Sequence, residues 1–191
     1  MTSTTDLSPL SWNTDRNAEL SSPRSTSPSE RVSRATPPRG FKFIRGTPTS
    51  IRFGGEVPTP RGRTYAQKLG LRYEQKIHDI LGSIYGETYA PSPAILFEDR
   101  SGLRRAIPDG ILRFPDRTVI VEVKYTHCEK AWWQLNRLYA PLILRLIPLP
   151  IFLCEIVHSF DPDVAWPLPP VLSTSLHKLP IGTTGVIEWK L

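Results

Sequence analysis

Residues 108–124 read PDGILRFPDRTVIVEVK. Two short runs rich in Ile, Leu and Val, 111–114 and 118–124, have the composition of β-strands. Pro115-Asp116 between them is a turn signal. The stretch therefore predicts a β-hairpin, and the hairpin determines which of the neighbouring side chains share a face.

Side chains alternate between the two faces of a strand, which sorts the residues of the second run. Glu122 and Lys124 fall on one face as neighbours, whereas Val123 points the opposite way into a core. If the hairpin has a two-residue loop, Asp109 lies directly opposite Glu122, about 5 Å away between Cβ atoms. A four-residue loop places Asp109 opposite Lys124 on the same face, and a three-residue loop moves Asp109 to the other face.

Asp109 and Glu122 are carboxylates set within apolar runs, where burial is costly unless a cation or strong donors compensate it. Mg²⁺ and similar ions take oxygen ligands and keep several waters, so one or two carboxylates are enough to hold them. We expect Asp109 and Glu122 to bind Mg²⁺ or Mn²⁺, with the Val123 carbonyl as a third protein ligand. Such an ion acidifies a bound water and neutralises charge on a phosphate. Lys124 would orient that water or stabilise the oxyanion.

These residues resemble the PD-(D/E)xK nucleases. Pro108-Asp109 matches the first element of that pattern, and Glu122-Val123-Lys124 matches the second, with Glu in the variable acidic position. The resemblance extends over residues 65–156. It implies an α/β restriction-endonuclease-like core, in which a mixed central β-sheet is flanked by helices, and a phosphodiester hydrolase that needs a divalent metal.

The resemblance adds two candidate residues outside the hairpin. Exonuclease-type and RecB-like members carry an acidic residue on a helix before the first strand, and Glu74 matches it. This match implies that Glu74 binds the metal or its water. Several members place a Gln on the helix after the lysine strand, and Gln134 matches that position. In the RecB-type pattern a Tyr follows the Gln four residues later, whereas here Tyr139 follows after five.

Hydrophobic spacing predicts the remaining elements. Apolar residues recur at intervals of three and four over 65–85, which predicts a helix. A second helix is predicted over 128–147, bent or broken near Pro141. Further strands are predicted at 94–97, 151–157 and, as an edge strand, 185–189, with a Pro-rich loop over 161–180. This order of helices and strands favours a mixed sheet flanked by helices.

The N-terminal residues 1–62 are rich in Ser, Thr, Pro and Arg and almost free of apolar periodicity. Such a composition cannot bury enough surface to offset the entropy of ordering, which predicts a disordered tail ahead of a nuclease-like domain at 63–191. Residues 41–45 and 51–53 are basic-aromatic patches within this tail. They could dock onto the domain or stack on exposed bases, but the composition favours a tail that packs weakly or not at all.

The charge is unevenly distributed. The chain has 24 Lys and Arg and 18 Asp and Glu, a net charge of +6. Residues 1–63 hold 10 of the basic and 5 of the acidic residues, so almost all of the excess lies in the tail. A basic arm of this kind gives salt-sensitive affinity for nucleic acid that does not depend on sequence. We therefore expect a nucleic-acid partner, with DNA as the leading choice.

Other features restrict the cellular setting. The chain has no long apolar stretch, which argues against a membrane span or a membrane partner, and its N-terminus lacks the pattern of a secretory signal. Its two cysteines, Cys128 and Cys154, are far apart and outside any CxxC pattern, as expected for reduced thiols. These observations predict an intracellular protein of the cytoplasm or nucleus.

Together the patterns predict a Mg²⁺- or Mn²⁺-dependent nuclease that hydrolyses phosphodiester bonds. Two other functions stay open: a non-catalytic nucleic-acid-binding module with a basic disordered arm, and an interaction scaffold with Ser-Pro and Thr-Pro phosphorylation sites in its tail. The site residues also have structural alternatives. Asp109 could be an ordinary turn residue of Pro-Asp-Gly, and Glu122 and Lys124 a solvated pair on an edge strand. Glu74 and Gln134 could be surface polar residues.

Overall fold

The computed structural model describes residues 36–55, 64–164, 166–168 and 170–191. It has an α/β fold with a six-stranded mixed sheet, flanked by helices, and a three-stranded sheet. The described strands are β1 Ser50–Phe53, β2 Tyr89–Pro91, β3 Ile95–Asp99, β4 Gly102–Ala106, β5 Gly110–Arg113, β6 Thr118–Thr126, β7 Ile151–Ser159, β8 Val171–Leu172 and β9 Thr184–Glu188. The described α-helices are α1 Tyr65–Tyr85, α2 Glu129–Gln134 and α3 Ala140–Leu146.

The hairpin of β5 and β6 has the register that a two-residue loop requires. The strands pair antiparallel with Gly110 opposite Val121. A 2.9 Å backbone hydrogen bond closes the turn across two residues. The next position along the hairpin places Asp109 opposite Glu122. Of the three loop lengths considered from the sequence, the structure has the two-residue loop, which puts Asp109 directly opposite Glu122 on one face.

The larger sheet has the strand order β2-β5-β6-β7-β9-β8. Its mixed character arises because β5 and β6 pair antiparallel, whereas β6, β7 and β9 run parallel to one another. Parallel strands are usually covered on both faces, and the first six residues of β6 are accordingly all buried. The prediction that β9 is an edge strand is wrong, because β8 pairs with it. β8 comes from the Pro-rich segment that was predicted to be loop throughout.

Each face of the central sheet packs against its own helix layer. On one face α1 packs against the sheet, in a core that includes Tyr73, Ile77, Leu81, Val119, Val121 and Val123. On the other face the segment from α2 to α3 packs in a core that includes Ile111, Ile120, Leu135, Tyr139, Leu142 and Ile143. The alternation predicted for β6 is therefore observed, and Glu122 lies on the face covered by α2 and α3.

The first helix follows its apolar stripe closely. Thr64 caps its N-terminus, accepting from the Gln67 amide while the Gln67 side chain accepts from the Thr64 amide. Gly86 follows the last turn with φ of 52°, a backbone conformation that favours glycine. The predicted helix at 65–85 is thus confirmed, and it ends because the chain enters a conformation costly for residues with a Cβ.

The second helical segment is not regular. Between α2 and α3 the residues Leu135–Tyr139 form a π-helical turn, which accommodates one more residue than an α-turn does. Pro141 follows this turn within one continuous helical segment, and a proline there has no N–H to bond to the preceding turn, which distorts the helix at that point. The irregularity predicted near Pro141 is therefore real but lies just before it.

The prediction of a disordered tail over the whole of 1–62 is wrong for residues 36–55. Ser50–Phe53 pair antiparallel with β3, and the side chains of Ile51 and Phe53 pack against the core of the α2–α3 face. β3 supplies hydrogen-bond partners for the backbone of residues 50–53, and the composition of the tail gave no sign of this pairing. Residues 1–35 and 56–63 lie outside the described residues, so disorder stays a prediction for them.

Within the described residues, none of the helices is both long and apolar enough to cross a membrane. The longest of them, α1, has 21 residues and exposes a polar face along its length.

Candidate active site

Three oxygen atoms converge on one cation where β5 and β6 meet. The Lys124 ammonium donates to Glu122 Oε1 and to the Val123 carbonyl, 3.1 Å away, and lies 3.6 Å from Asp109 Oδ2. Asp109 Oδ2 also accepts a 2.7 Å hydrogen bond from the Val123 amide, which holds the carboxylate against β6. These oxygens belong to three of the four residues that the sequence predicts as metal ligands; the fourth is Glu74. The solvated edge-strand pair is excluded as an interpretation, because β6 is an interior strand.

Glu122 is the least satisfied charged group of this cluster. Its side chain is 1% exposed, and Oε2 is buried without a hydrogen-bond partner among the described residues. Buried carboxylate oxygens are normally paired, so an orphaned one needs an explanation. With Asp109, Glu122 and Lys124 all ionised, the cluster carries one negative charge in excess. A further cation beside Oε2 would relieve both the missing contact and the excess charge.

The pKa values of the cluster express the same imbalance. Burial, together with the nearby Asp109, raises the pKa of Glu122 to about 8. Burial also raises the pKa of Asp109, although Lys124 opposes the shift. Burial alone would lower the pKa of Lys124, but the Glu122 and Asp109 carboxylates outweigh it and raise that pKa above its ordinary value. The ammonium is thus firmly charged, while the carboxylate pair binds a proton more readily than usual.

Gln134 reaches the cluster through Tyr139. The Gln134 amide donates to the Tyr139 hydroxyl at 3.0 Å, and that hydroxyl donates to the Ile107 carbonyl at 3.0 Å. Burial raises the pKa of the Tyr139 hydroxyl, and the Glu122 and Asp109 carboxylates raise it further, so this hydroxyl is electrostatically coupled to them. The five-residue spacing is compatible with this contact because the π-helical turn aligns residues five apart. Gln134 Oε1 is itself buried without a partner among the residues described.

Glu74 borders the site from the side of α1. It pairs with His78 Nε2 at 3.4 Å, and His78 Nδ1 is hydrogen-bonded to the Tyr89 hydroxyl. The Glu74 carboxylate contributes to the raised pKa of Asp109, so the two groups are electrostatically coupled. Gly110 makes room for this arrangement, since a Cβ at that position would lie 2.6 Å from the Tyr89 ring. Glu74 is therefore beside the cluster but already engaged with a histidine.

A second buried carboxylate lies next to the first. Glu155 on β7 is the register partner of Glu122 on β6. Its Oε2 is 2.6 Å from His127 Nδ1, and its Oε1 accepts from the Cys128 amide at 3.3 Å. Glu155 was not identified from the sequence, although it interrupts an apolar strand just as Glu122 does. That shared feature could have revealed it.

The donor set fits a hard divalent cation better than a softer metal. No group of three or more His, Cys, Asp or Glu side chains is arranged to hold a metal ion anywhere in the described ranges. Two carboxylates and one backbone carbonyl would instead leave several positions for water, which Mg²⁺ prefers. The orphaned Glu122 oxygen is the observation that fits such an ion.

No protein-family model, curated protein or solved structure matches this chain. The function has to be argued from the site itself. Of the residues predicted from the sequence, the structure brings Asp109, Glu122, Val123 and Lys124 into contact. Gln134 joins them through Tyr139, and Glu74 lies at their border.

Proposed function

We propose that this protein is a Mg²⁺- or Mn²⁺-dependent nuclease that hydrolyses phosphodiester bonds, with DNA as the favoured substrate. The observation that carries the proposal is the convergence of Asp109, Glu122 and the Val123 carbonyl on one cation position, beside an unsatisfied Glu122 oxygen. A purely structural ion pair would gain nothing from a second buried carboxylate. An excess of buried negative charge is costly unless a cation compensates it.

Each residue of the cluster has a distinct role in this proposal. Asp109, Glu122 and the Val123 carbonyl would hold the ion, which when bound supplies an acidified water and neutralises charge on the phosphate. Lys124, relieved of its carboxylate contacts, presents its ammonium to the phosphate or to the attacking water as a compact charge. Tyr139 and Gln134 orient Glu122 from the α2 side. Glu74 adds negative potential at the border and helps to retain a cation.

A restriction-endonuclease-like core is the fold we propose to go with this activity. The order of a helix, an antiparallel hairpin, a further helix and a parallel strand matches what the PD-(D/E)xK resemblance implies. The interior strand β6 supplies both Glu122 and Lys124; α1 packs on one of its faces, and the segment from the π-helical turn to α3 packs on the other.

The test is cleavage of circular and linear DNA, each single- and double-stranded, and of RNA, with Mg²⁺, Mn²⁺ or EDTA. We expect cleavage with either metal, none in EDTA, and loss of activity in Lys124→Ala. Lys76→Ala is a matched control, because Lys76 is exposed on α1 and lies two residues from both Glu74 and His78, so it points away from the site. The proposal fails if intact substrates remain under every condition.

Binding without cleavage would support the alternative function. The described N-terminal residues 36–55 carry four basic and no acidic residues, which favours contact with a polyanion. A non-catalytic binding module would retain nucleic acid in EDTA, lose it with added salt, and show no dependence on Lys124. The unsatisfied carboxylate of Glu122 argues against this alternative, since an isolated buried carboxylate repels phosphate.

A further inference from the structure

A cleft of about 430 Å³ opens between the N-terminal arm, residues 36–55, and the β3–β4 hairpin. Its walls are formed by Phe41, Lys42, Phe43, Arg45, Ser101 and Arg104. We propose that this cleft, called here the arm cleft, binds single-stranded nucleic acid and leads an unpaired strand to the Asp109 site. The guidance of a strand to Asp109 rests on the proposed nuclease function, whereas the binding of single-stranded nucleic acid to the cleft does not.

Besides the pairing of β1 with β3, one buried carboxylate holds the arm in place. Asp99 is 7% exposed and accepts from the Arg45 amide at 2.8 Å and from the Arg104 guanidinium at 2.8 Å. Arg104 in turn donates to the Phe43 and Lys42 carbonyls. These bonds use the backbone of the arm, so its side chains are presented on a rigid framework. A preorganised surface loses less entropy when it binds a flexible strand.

The charge of this region favours a polyanion. Residues 36–55 contain four basic and no acidic residues, and residues 95–106 contain three basic and two acidic ones. One of those two acidic residues is Asp99, which is already occupied with the arm and Arg104. Lys42 and Arg45 are exposed at the cleft. Basic side chains along a groove attract a phosphate backbone and release its counterions.

The aromatic residues favour a single strand over a duplex. Phe41 and Phe43 meet edge to face with ring centroids 4.7 Å apart, and both contact Trp133 on α2. Phe43 retains 36% of its exposure at the cleft. Unpaired bases stack on rings of this kind whatever their sequence, whereas bases inside a duplex already stack on one another.

The cleft is linked to the candidate site along the chain in two places. Trp133, which supports the two phenylalanines, immediately precedes Gln134. The hairpin strand β4 ends at Ala106, three residues before Asp109, and the Ile107 carbonyl between them accepts from Tyr139. Short stretches of chain therefore connect both walls of the arm cleft to residues of the candidate site.

The test is the affinity of the full-length protein for a fluorescent oligothymidylate in EDTA, measured by anisotropy over a range of salt concentrations. We expect the double variant Lys42→Ala/Arg45→Ala to lose affinity by about tenfold or more. Its slope of log affinity against log salt should become shallower by about 0.7 for each lost phosphate contact. Phe43→Ala should also weaken binding by about tenfold, and Phe43→Trp should restore it.

Lys68→Ala/Arg72→Ala is the matched control, since it removes the same two charges from exposed positions on α1. Equal affinity in the control and the cleft variant would overturn the proposal, as would equal affinity of the unmodified protein for a duplex of the same length. The double variant leaves the rings in place, so a folding defect in Phe43→Ala does not decide the outcome.

Oligothymidylate binding without any cleavage would contradict the proposed nuclease activity alone. Metal-dependent cleavage of single strands at normal rates by the cleft variant would contradict the arm cleft alone.

Discussion

Glu122 and Glu155 lie side by side on parallel strands, but their carboxylates differ in how fully they are hydrogen-bonded. Both are essentially inaccessible to solvent, with side chains 1% and 0% exposed, and each has a cationic or titratable neighbour. Glu155 has both oxygens hydrogen-bonded, to His127 and to the Cys128 amide. Glu122 has one oxygen on Lys124 and the other without a partner among the described residues.

The difference separates a structural carboxylate from a functional one. A fully bonded buried carboxylate holds its surroundings together, and removing it leaves its donors unpaired. A partly bonded one destabilises the protein until something else binds to it, and such strain is typical of sites that await a ligand. We therefore expect Glu155 to matter for folding and Glu122 for chemistry. The experiments below separate these two contributions.

The largest expected effect is on cleavage. Glu122→Gln should reduce metal-dependent cleavage by at least about a thousandfold, because several kcal/mol of transition-state stabilisation depend on the bound ion. Glu155→Ala, assayed well below its unfolding temperature, should stay within about tenfold of the unmodified protein. Initial rates on linear DNA would measure both. Equal losses in the two variants would remove the distinction between the carboxylates.

The next effect is on stability, and here the substitution of Glu155, not of Glu122, is expected to have the larger effect. Glu155→Ala should lower the free energy of unfolding more than Glu122→Ala by about 1–3 kcal/mol, since only the first leaves two satisfied hydrogen-bond partners unpaired. The two substitutions create cavities of the same size, so each is the control for the other. Urea unfolding in EDTA measures the difference. A larger loss in Glu122→Ala would show that the ion pair with Lys124 is the structural one.

A smaller effect is expected for the residue that adjoins Glu122 from the helix side. Tyr139→Phe removes the hydroxyl that joins Gln134 to the Ile107 carbonyl, and residues that support metal ligands typically contribute 10- to 100-fold to activity. We expect cleavage to fall by about that factor and the Mg²⁺ concentration for half-maximal activity to rise. Tyr125→Phe, on the opposite face of the sheet, is the control. Unchanged metal dependence would mean that Tyr139 only packs.

The smallest effect concerns pH. The folded pKa of Glu122 is raised from 4.5 to about 8, so the folded, metal-free protein binds more protons than the unfolded chain between those values. Its contribution to stability is present below about pH 4.5 and is lost as pH rises through about 8. Lys124 stays charged throughout, because its own pKa is raised. Melting temperatures in EDTA should therefore fall more steeply with pH than those of Glu122→Gln, and parallel curves would contradict this.

Much of the fold follows from local patterns. The helix at 65–85 and the strand that begins at Ile151 were predicted because their hydrophobic period is strong and their ends carry clear signals. Turn chemistry located the hairpin but left three loop lengths open, and the structure has the two-residue loop. Residues 50–53 were missed because a strand that pairs at the rim of a small sheet needs only a few apolar side chains. Pairing with a distant strand supplied the remaining stabilisation, and distant pairing leaves no local pattern.

The residues of the candidate site likewise divide into those that local sequence patterns predict and those that depend on contacts between distant elements. Asp109, Glu122 and Lys124 could be placed together because one hairpin carries all three and a period of two determines their face. The contact between Glu155 and His127 could not be predicted, because it depends on how β7 aligns with β6, and the strands of a parallel pair are joined by a long crossover rather than a tight turn. The role of Tyr139 depended on helix geometry that spacing alone does not reveal.

The π-helical turn between α2 and α3 has a consequence for recognising distant relatives. A comparison that scores residues by their count along the chain treats the extra residue before Tyr139 as a mismatch, although the helix absorbs it and returns the ring to its partner. A chain lacking one residue here, with an unbroken α-helix, could present the same Gln and Tyr pair in the same direction. Related chains are therefore better recognised by the directions of the Gln and Tyr side chains around the helix axis than by a fixed number of residues between them.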